Sequence, residues 1–279
     1  MQIADNAEEI VARWEWFRRP VWGRAEYALL NPLFRQLLAG RASCLYSGGA
    51  LGRSALDLAQ NVNCATLAHL PSAYGVERGR ELAKSRNLQC GFIAGERAAI
   101  AANLPHPVDC IVSPNWMLEP DWQTLKANFS AAFQALNPGG VLAFPSPQRD
   151  RNWQPLLKMF DGWDEDAVVW HCRDGAQACV CLRSKAAREN DFADVKYRYL
   201  ATKGDAAQID VVVRRLPAYW AWSNVVELAK QAGFQEIDSR DFPAGAAESD
   251  FSALAIIRKP GGAAPSANND GRLFAYADF

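Results

Sequence analysis

The sequence predicts an α/β protein built on a seven-stranded, mostly parallel sheet with an antiparallel last strand. Three observations lead to this fold class. Between residues 44 and 144, short apolar runs alternate with helical segments, as in right-handed crossovers that cover a parallel sheet on both faces. A glycine turn, from Gly48 to Gly52, directly follows the first run. The last two apolar runs are joined by a loop too short for a crossover helix, so they should be antiparallel neighbours.

Five strands and four helices are predicted in the alternating region. The predicted strands cover residues 44–47, 64–70, 89–94, 109–113 and 140–144. The predicted helices cover residues 51–60, 74–86, 97–102 and 121–136. Each strand is short and apolar, as expected for strands that are buried on both faces.

Helices are predicted ahead of the sheet. Asp5 and Glu8 have the spacing of a capping box for a helix that runs to about residue 19. Pro20 interrupts that helix, and a second helix should cover residues 24–38. We therefore expect an N-terminal helical cap at residues 1–40, followed by the main domain at residues 41–259.

The alternation stops after Pro147, where the pattern changes to hairpins. One predicted hairpin pairs residues 168–172 with 178–183, and a second pairs 195–200 with 208–214. They indicate an antiparallel insertion at about residues 151–220.

The chain then returns to the main sheet. A helix at 223–231 should end at Gly233 and precede strands at 234–241 and 251–258. Residues 260–279 are rich in small and polar residues and are predicted to form a flexible tail.

Composition limits the function classes. The formal net charge of −1 gives no general attraction to nucleic acid or to an anionic membrane, and no apolar run reaches membrane-spanning length. The polar N-terminus argues against a signal peptide. Seven cysteines without dense spacing are typical of free thiols in a reducing compartment. We therefore expect a cytoplasmic protein.

Four motifs follow one another in a fixed order along the chain. They are the glycine turn after the first strand, Gly95-Glu96 after the third, Asp109-Cys110-Ile111-Val112 opening the fourth, and Leu136-Asn137-Pro138-Gly139-Gly140 before the fifth. Together they resemble the class I, Rossmann-like S-adenosylmethionine-dependent methyltransferases over roughly residues 41–259. The resemblance implies S-adenosylmethionine as the cofactor and methyl transfer to a small organic molecule.

Two positions depart from that resemblance. The family commonly has an acid two residues before the first glycine, where this chain has Tyr46. The acid that holds the ribose hydroxyls falls at His69, and a neutral histidine accepts one hydrogen bond where a carboxylate accepts two or more. Binding of the cofactor should therefore be weak or lost. An alternative is a catalytically inactive protein that acts as a binding or scaffolding partner, and a third is a different ligand or a non-methyl reaction.

The candidate cofactor residues lie at the ends of the predicted strands. They are Gly48, Gly49, Ala50, Gly52, His69, Glu96 and Asn115. The competing interpretation of the glycines is helix–strand packing alone, and that of Glu96 is an acid complementing a helix dipole. No catalytic residue is predicted, since methyl transfer depends mainly on alignment and the family has no universal catalytic residue.

Aromatic residues are the candidate substrate contacts. They are Trp14, Tyr27, Trp116, Tyr219 and Trp220, which could wall a pocket for a small molecule or simply pack the cap onto the sheet.

The sequence also leads to expectations about binding partners and metals. A small-molecule substrate is expected, without nucleic acid or membrane, and a homodimer or a paralogue partner stays open. Cys172, Cys179 and Cys181 favour buried structural thiols over a soft-metal site, so no metal is predicted.

Overall fold

The computed structural model describes residues 7–17, 25–119, 121–146, 168–171, 177–187, 192–203, 206–217, 221–242 and 253–261. The helices there are α1 (Ala7–Phe17), α2 (Ala25–Leu38), α3 (Arg53–Asn61), α4 (Ala73–Ser85), α5 (Ile100–Asn103), α6 (Trp122–Ala135) and α7 (Trp222–Ala232). The strands are β1 (Ser43–Ser47), β2 (Ala65–Leu70), β3 (Gly91–Ala94), β4 (Val108–Val112), β5 (Leu136–Ser146), β6 (Val168–His171), β7 (Gln177–Ala187), β8 (Phe192–Lys203), β9 (Ala206–Pro217), β10 (Glu236–Asp241) and β11 (Ala253–Arg258).

The main sheet has seven strands in the order β10-β11-β5-β4-β1-β2-β3. The strands from β1 to β5 pair in parallel, and β11 is antiparallel to both β5 and β10. The predicted α/β fold with an antiparallel last strand is therefore confirmed. The direction of strand addition reverses between β1 and β4, which opens a crevice beyond their carboxyl ends.

Apolar side chains fill both faces of this sheet. On one face Phe34, Tyr46 and Leu56 belong to one buried cluster. On the other face Phe129 and Phe144 belong to a second. Burial on both faces explains why the strands are short continuous apolar runs rather than alternating ones.

A second sheet is formed by the inserted residues. Its antiparallel order is β6-β7-β8-β9, so both predicted hairpins are present and β7 pairs with β8 to join them. Helix α1 packs on this sheet: the Trp14 ring stacks on Tyr199 at 5.5 Å, and its Nε1–H donates to Asp210 at 2.8 Å.

Some element boundaries differ from the prediction. Strand β5 begins at Leu136 rather than at residue 140, next to Asn137, whose side chain donates to Asp109 Oδ1 at 2.8 Å. The helix expected at 97–102 divides into a 3₁₀ turn, Arg97–Ala99, and α5. The predicted helix end at Gly233 is confirmed by its left-handed φ of 103°.

Several predictions fall on residues outside the described ranges. They are the Asp5 half of the capping box, Cys172 and the tail at residues 262–279. Cys179 and Cys181 lie in β7. In the described ranges, no helix has both the length and the apolar character needed to cross a membrane. The domain boundaries stay a prediction.

Candidate functional site

A cavity of about 750 Å³ lies at the carboxyl ends of β1, β2 and β4, where the strand order reverses. This is the size and place of a small-molecule site in an open α/β sheet. The cavity brings together all the candidate cofactor residues: Gly48, Gly49, Ala50, Gly52, His69, Glu96 and Asn115. That they contact a cofactor stays a prediction.

The three glycines of the turn have different surroundings. A Cβ atom on Gly48 would lie 2.6 Å from Asn115 Oδ1, and one on Gly52 would lie 2.9 Å from the Phe92 ring. These two glycines are therefore required by packing. Gly49 has a φ of +73° and open space where a Cβ would be, so its exposed backbone is the part of the turn that a ligand can approach.

Helix α3 begins at this turn. Its N-cap residue, Gly52, has no side chain to cap the first backbone N–H groups, and Arg53 and Ser54 at the start of the helix line the cavity. Uncapped N–H groups at a helix N-terminus favour an electronegative partner.

The two positions that lack the expected acids are both buried. His69 is 3% exposed, and its Nδ1 lies 3.2 Å from Ser47 Oγ. Burial and the nearby positive charge of Arg97 lower the pKa of His69 to about 4, so its ring is neutral at pH 7. Tyr46 packs edge-to-face against Phe34 at 6.3 Å. Neither position supplies a carboxylate to the cavity.

Arg97 is a cavity residue that sequence reasoning missed. Its Nε–H donates to Ser47 Oγ at 3.3 Å, and its two terminal nitrogens donate to the backbone oxygen and the Oδ1 atom of Asn115. The guanidinium also lies over the Trp116 ring, 5.5 Å from its centroid. Burial lowers the pKa of Arg97 to about 10, which still leaves it charged at pH 7.

The Ser47 hydroxyl connects Arg97 to His69. Arg97 can only donate, so Ser47 Oγ accepts that hydrogen bond, and the buried hydroxyl also hydrogen-bonds with His69 Nδ1 at 3.2 Å. The other ring nitrogen, His69 Nε2, is also buried, next to the backbone of Gly95 and Glu96. This buried neutral imidazole therefore does not replace the carboxylate acceptor that is common at this position in the family.

Acceptors line another part of the cavity wall. Glu119, Thr124 and Asn128 come from the turn after β4 and from α6. Asn128 is 2% exposed, and its Oδ1 has no hydrogen-bond partner. Burial raises the pKa of Glu119. No motif marks these residues, because Thr124 and Asn128 follow one face of an ordinary amphipathic helix and Glu119 lies in the turn before it.

Two of the aromatic candidates for substrate contact pack elsewhere. Trp14 packs on the inserted sheet, as described above. Trp116 is fully buried and packs against Phe129 and Phe144, with ring centroids 5.9 and 6.2 Å away. Neither side chain is part of the described cavity wall, because each fills a gap between packed elements.

The other aromatic candidates have no described side chain. Tyr27 lies in α2, whereas Tyr219 and Trp220 fall outside the described ranges. Among the lining residues that the structure describes, the aromatic one is Tyr46. Charged groups of both signs are present instead: Glu8, Glu15, Glu96, Glu119, Arg53, Arg97 and Arg215.

Comparisons with known proteins bear on the fold. No protein-family model matches the sequence. A search of curated proteins finds no match either.

Solved structures do match over most of the chain. The sugar N-methyltransferase KedS8 from Streptoalloteichus is 15% identical, with a TM-score of 0.64 over 87% of this chain and 97% of that chain. The amino pentose methyltransferase CalS10 from Micromonospora echinaspora, solved with S-adenosylmethionine bound, is 14% identical, with a TM-score of 0.62 over 93% and 99%. An S-adenosylmethionine-dependent methyltransferase from Clostridium acetobutylicum is 14% identical, with a TM-score of 0.62 over 85% and 91%. The chain therefore has the fold of class I S-adenosylmethionine-dependent methyltransferases, as the resemblance predicted.

Proposed function

We propose that this protein binds S-adenosylmethionine in the cavity and transfers its methyl group to a small organic molecule. The observation that carries the proposal is the position of the cavity: it lies against the exposed backbone of Gly49, at the reversal of strand order, in a methyltransferase fold. The solved relatives with this fold include one with S-adenosylmethionine bound.

Different lining residues would contact the cofactor and the methyl acceptor. Gly49 and the start of α3 would contact the nucleoside, with Glu96 accepting from one of its amino or hydroxyl groups. His69 would supply no carboxylate to the ribose hydroxyls, so the cofactor is held less firmly than by an acid at that position. Glu119 and Asn128 would face the acceptor molecule, with Glu119 as the base when that molecule carries a proton to be lost.

A matched pair of glycine variants tests the binding step. Gly49 and Gly40 have φ values of +73° and +75°, and at both positions the space that a Cβ would take has no atom within 4 Å. Leucine at either position therefore brings a similar backbone strain, about 1–2 kcal/mol. Only Gly49 of this pair lines the cavity.

The readout is thermal denaturation with and without S-adenosylmethionine. Ligand at about 100 times its dissociation constant stabilises a protein by about 2.7 kcal/mol. The wild type and Gly40→Leu should gain this stabilisation, and Gly49→Leu should not. An equal gain in Gly49→Leu, or no gain in the wild type, would refute binding at the turn.

A test of methyl transfer needs a mixture that contains possible methyl acceptors. With the low-molecular-weight fraction of a cell extract, the wild type should accumulate S-adenosylhomocysteine, and Gly49→Leu should not, as measured by mass spectrometry. If the wild type binds S-adenosylmethionine but forms no product, methyl transfer is the half of the proposal that fails.

A further inference from the structure

The charge of Arg97 has no close counterion in the described structure. Among the described residues, no carboxylate oxygen lies within 4 Å of its guanidinium, and its hydrogen bonds go to the neutral groups of Ser47 and Asn115. Glu119 and Glu8 attract the charge from farther away. A partly buried cation without an ion-pair partner is costly, which is why such groups are usually paired.

The absence of an acid at the ends of β1 and β2 explains why the Arg97 guanidinium has no close counterion. A carboxylate at position 69 would lie beside Ser47, which hydrogen-bonds with both His69 and Arg97. This chain has Tyr46 and His69 at the ends of β1 and β2, neither of which is a carboxylate, and the lowered pKa of His69 leaves its ring neutral at pH 7. Arg97 is therefore the charged donor beside the ends of β1 and β2.

The Arg97 side chain is also held in place before any ligand binds. Three hydrogen bonds hold its side chain, and the guanidinium lies over the Trp116 ring. A guanidinium presents five N–H groups, and three are used here, so others are left for a ligand. A donor that is already oriented binds an anion at little further entropic cost.

We propose that Arg97 binds an anionic group of the ligand, a carboxylate or a phosphate ester, at the carboxyl ends of β1 and β4. The inference rests on the proposed function only in taking the cavity as the ligand site, and it goes beyond it by specifying the ligand's charge. A ligand that brings an anion completes the ion pair, whereas one that adds only positive charge is repelled.

Binding of matched nucleosides tests this charge requirement. The probes are adenosine, adenosine 5′-monophosphate and adenosine 5′-carboxylic acid, measured by calorimetry at one ionic strength. At least one anionic probe should bind about tenfold to a hundredfold more tightly than adenosine, as expected for a charge-assisted contact. The tighter of the two anionic probes distinguishes phosphate from carboxylate. Equal affinity for all three probes would overturn the proposal.

Substitutions of Arg97 and of a control arginine test whether Arg97 causes the preference for anionic probes. Arg97→Gln should abolish the advantage of the anionic probe and leave adenosine binding within about twofold. The control is Arg80→Gln, which removes an equal charge from an exposed side chain that donates to Phe92 O at 3.1 Å and does not line the cavity. It should keep the wild-type preference. An unchanged preference in Arg97→Gln would overturn the assignment.

Two further measurements keep the test decisive. If Arg97→Gln does not fold, Arg97→Lys keeps the charge and loses the planar fork, and should retain only part of the preference. If no nucleoside binds, inorganic phosphate and acetate become the probes, and the proposed function is decided separately by the S-adenosylmethionine measurements. One of them should then raise the melting temperature of the wild type more than that of the Arg97 variant, and equal effects would overturn the proposal.

Discussion

Acidification should destabilise this protein through one buried histidine. The pKa of His69 falls from its ordinary value of 6.5 to about 4, because burial and the charge of Arg97 disfavour the imidazolium. Between those two values the unfolded chain binds a proton that the folded protein does not. The stability is therefore complete above pH 6.5 and is lost as the pH falls through that interval.

The size of the effect follows from the shift. The full difference of about 2.5 units corresponds to about 3 kcal/mol at 1.36 kcal/mol per unit. From about pH 7.5 to about pH 5, where most of the titration in the unfolded state occurs, the loss should be about 2 kcal/mol. No allowance for solvent screening is needed, because His69 is 3% exposed.

Urea denaturation at both pH values measures this loss. Other groups also titrate in this range, so the wild type is compared with His69→Gln, which lacks the titrating ring. The wild type should lose about 2 kcal/mol more than His69→Gln. His106→Gln, which removes an exposed histidine, should lose as much as the wild type. Equal losses in the wild type and His69→Gln would refute the burial and charge argument.

Two other predictions concern the amino ends of the strands. Asp109 Oδ2 accepts from the backbone N–H groups of Ala42 and Ser43, both at 3.0 Å, so Asp109→Asn should lower the free energy of unfolding in urea by about 1–3 kcal/mol. An unchanged midpoint and slope would contradict this. The pKa of Cys64 is lowered to about 7, chiefly by a hydrogen bond with Cys44, so iodoacetamide near neutral pH should alkylate it first among the four described cysteines. If peptide mass spectrometry shows that another of the four described cysteines is alkylated sooner, this prediction is wrong.

The fold could be predicted because its signals are local. Strands β1 to β5 contain short apolar runs that end at turns, and the loop before β11 is too short for a crossover. The link between β7 and β8 was missed, because pairing between two hairpins depends on long-range contacts that turn residues do not encode.

The site could be predicted only where backbone geometry defines it. The glycine turn and the ends of β2 and β4 were located, since the carboxyl ends of parallel strands meet at one edge. Arg97 was missed although it directly follows Glu96, because nothing local shows that its side chain turns back toward Ser47. Trp116 follows Asn115 at the same edge, but packing with Phe129 and Phe144 directs its ring into the core.

The most direct test of the account is calorimetric titration of the wild type with S-adenosylmethionine and S-adenosylhomocysteine. Each should bind at one site per chain. The absence of saturable binding for both ligands would contradict the central claim that this cavity is a cofactor site.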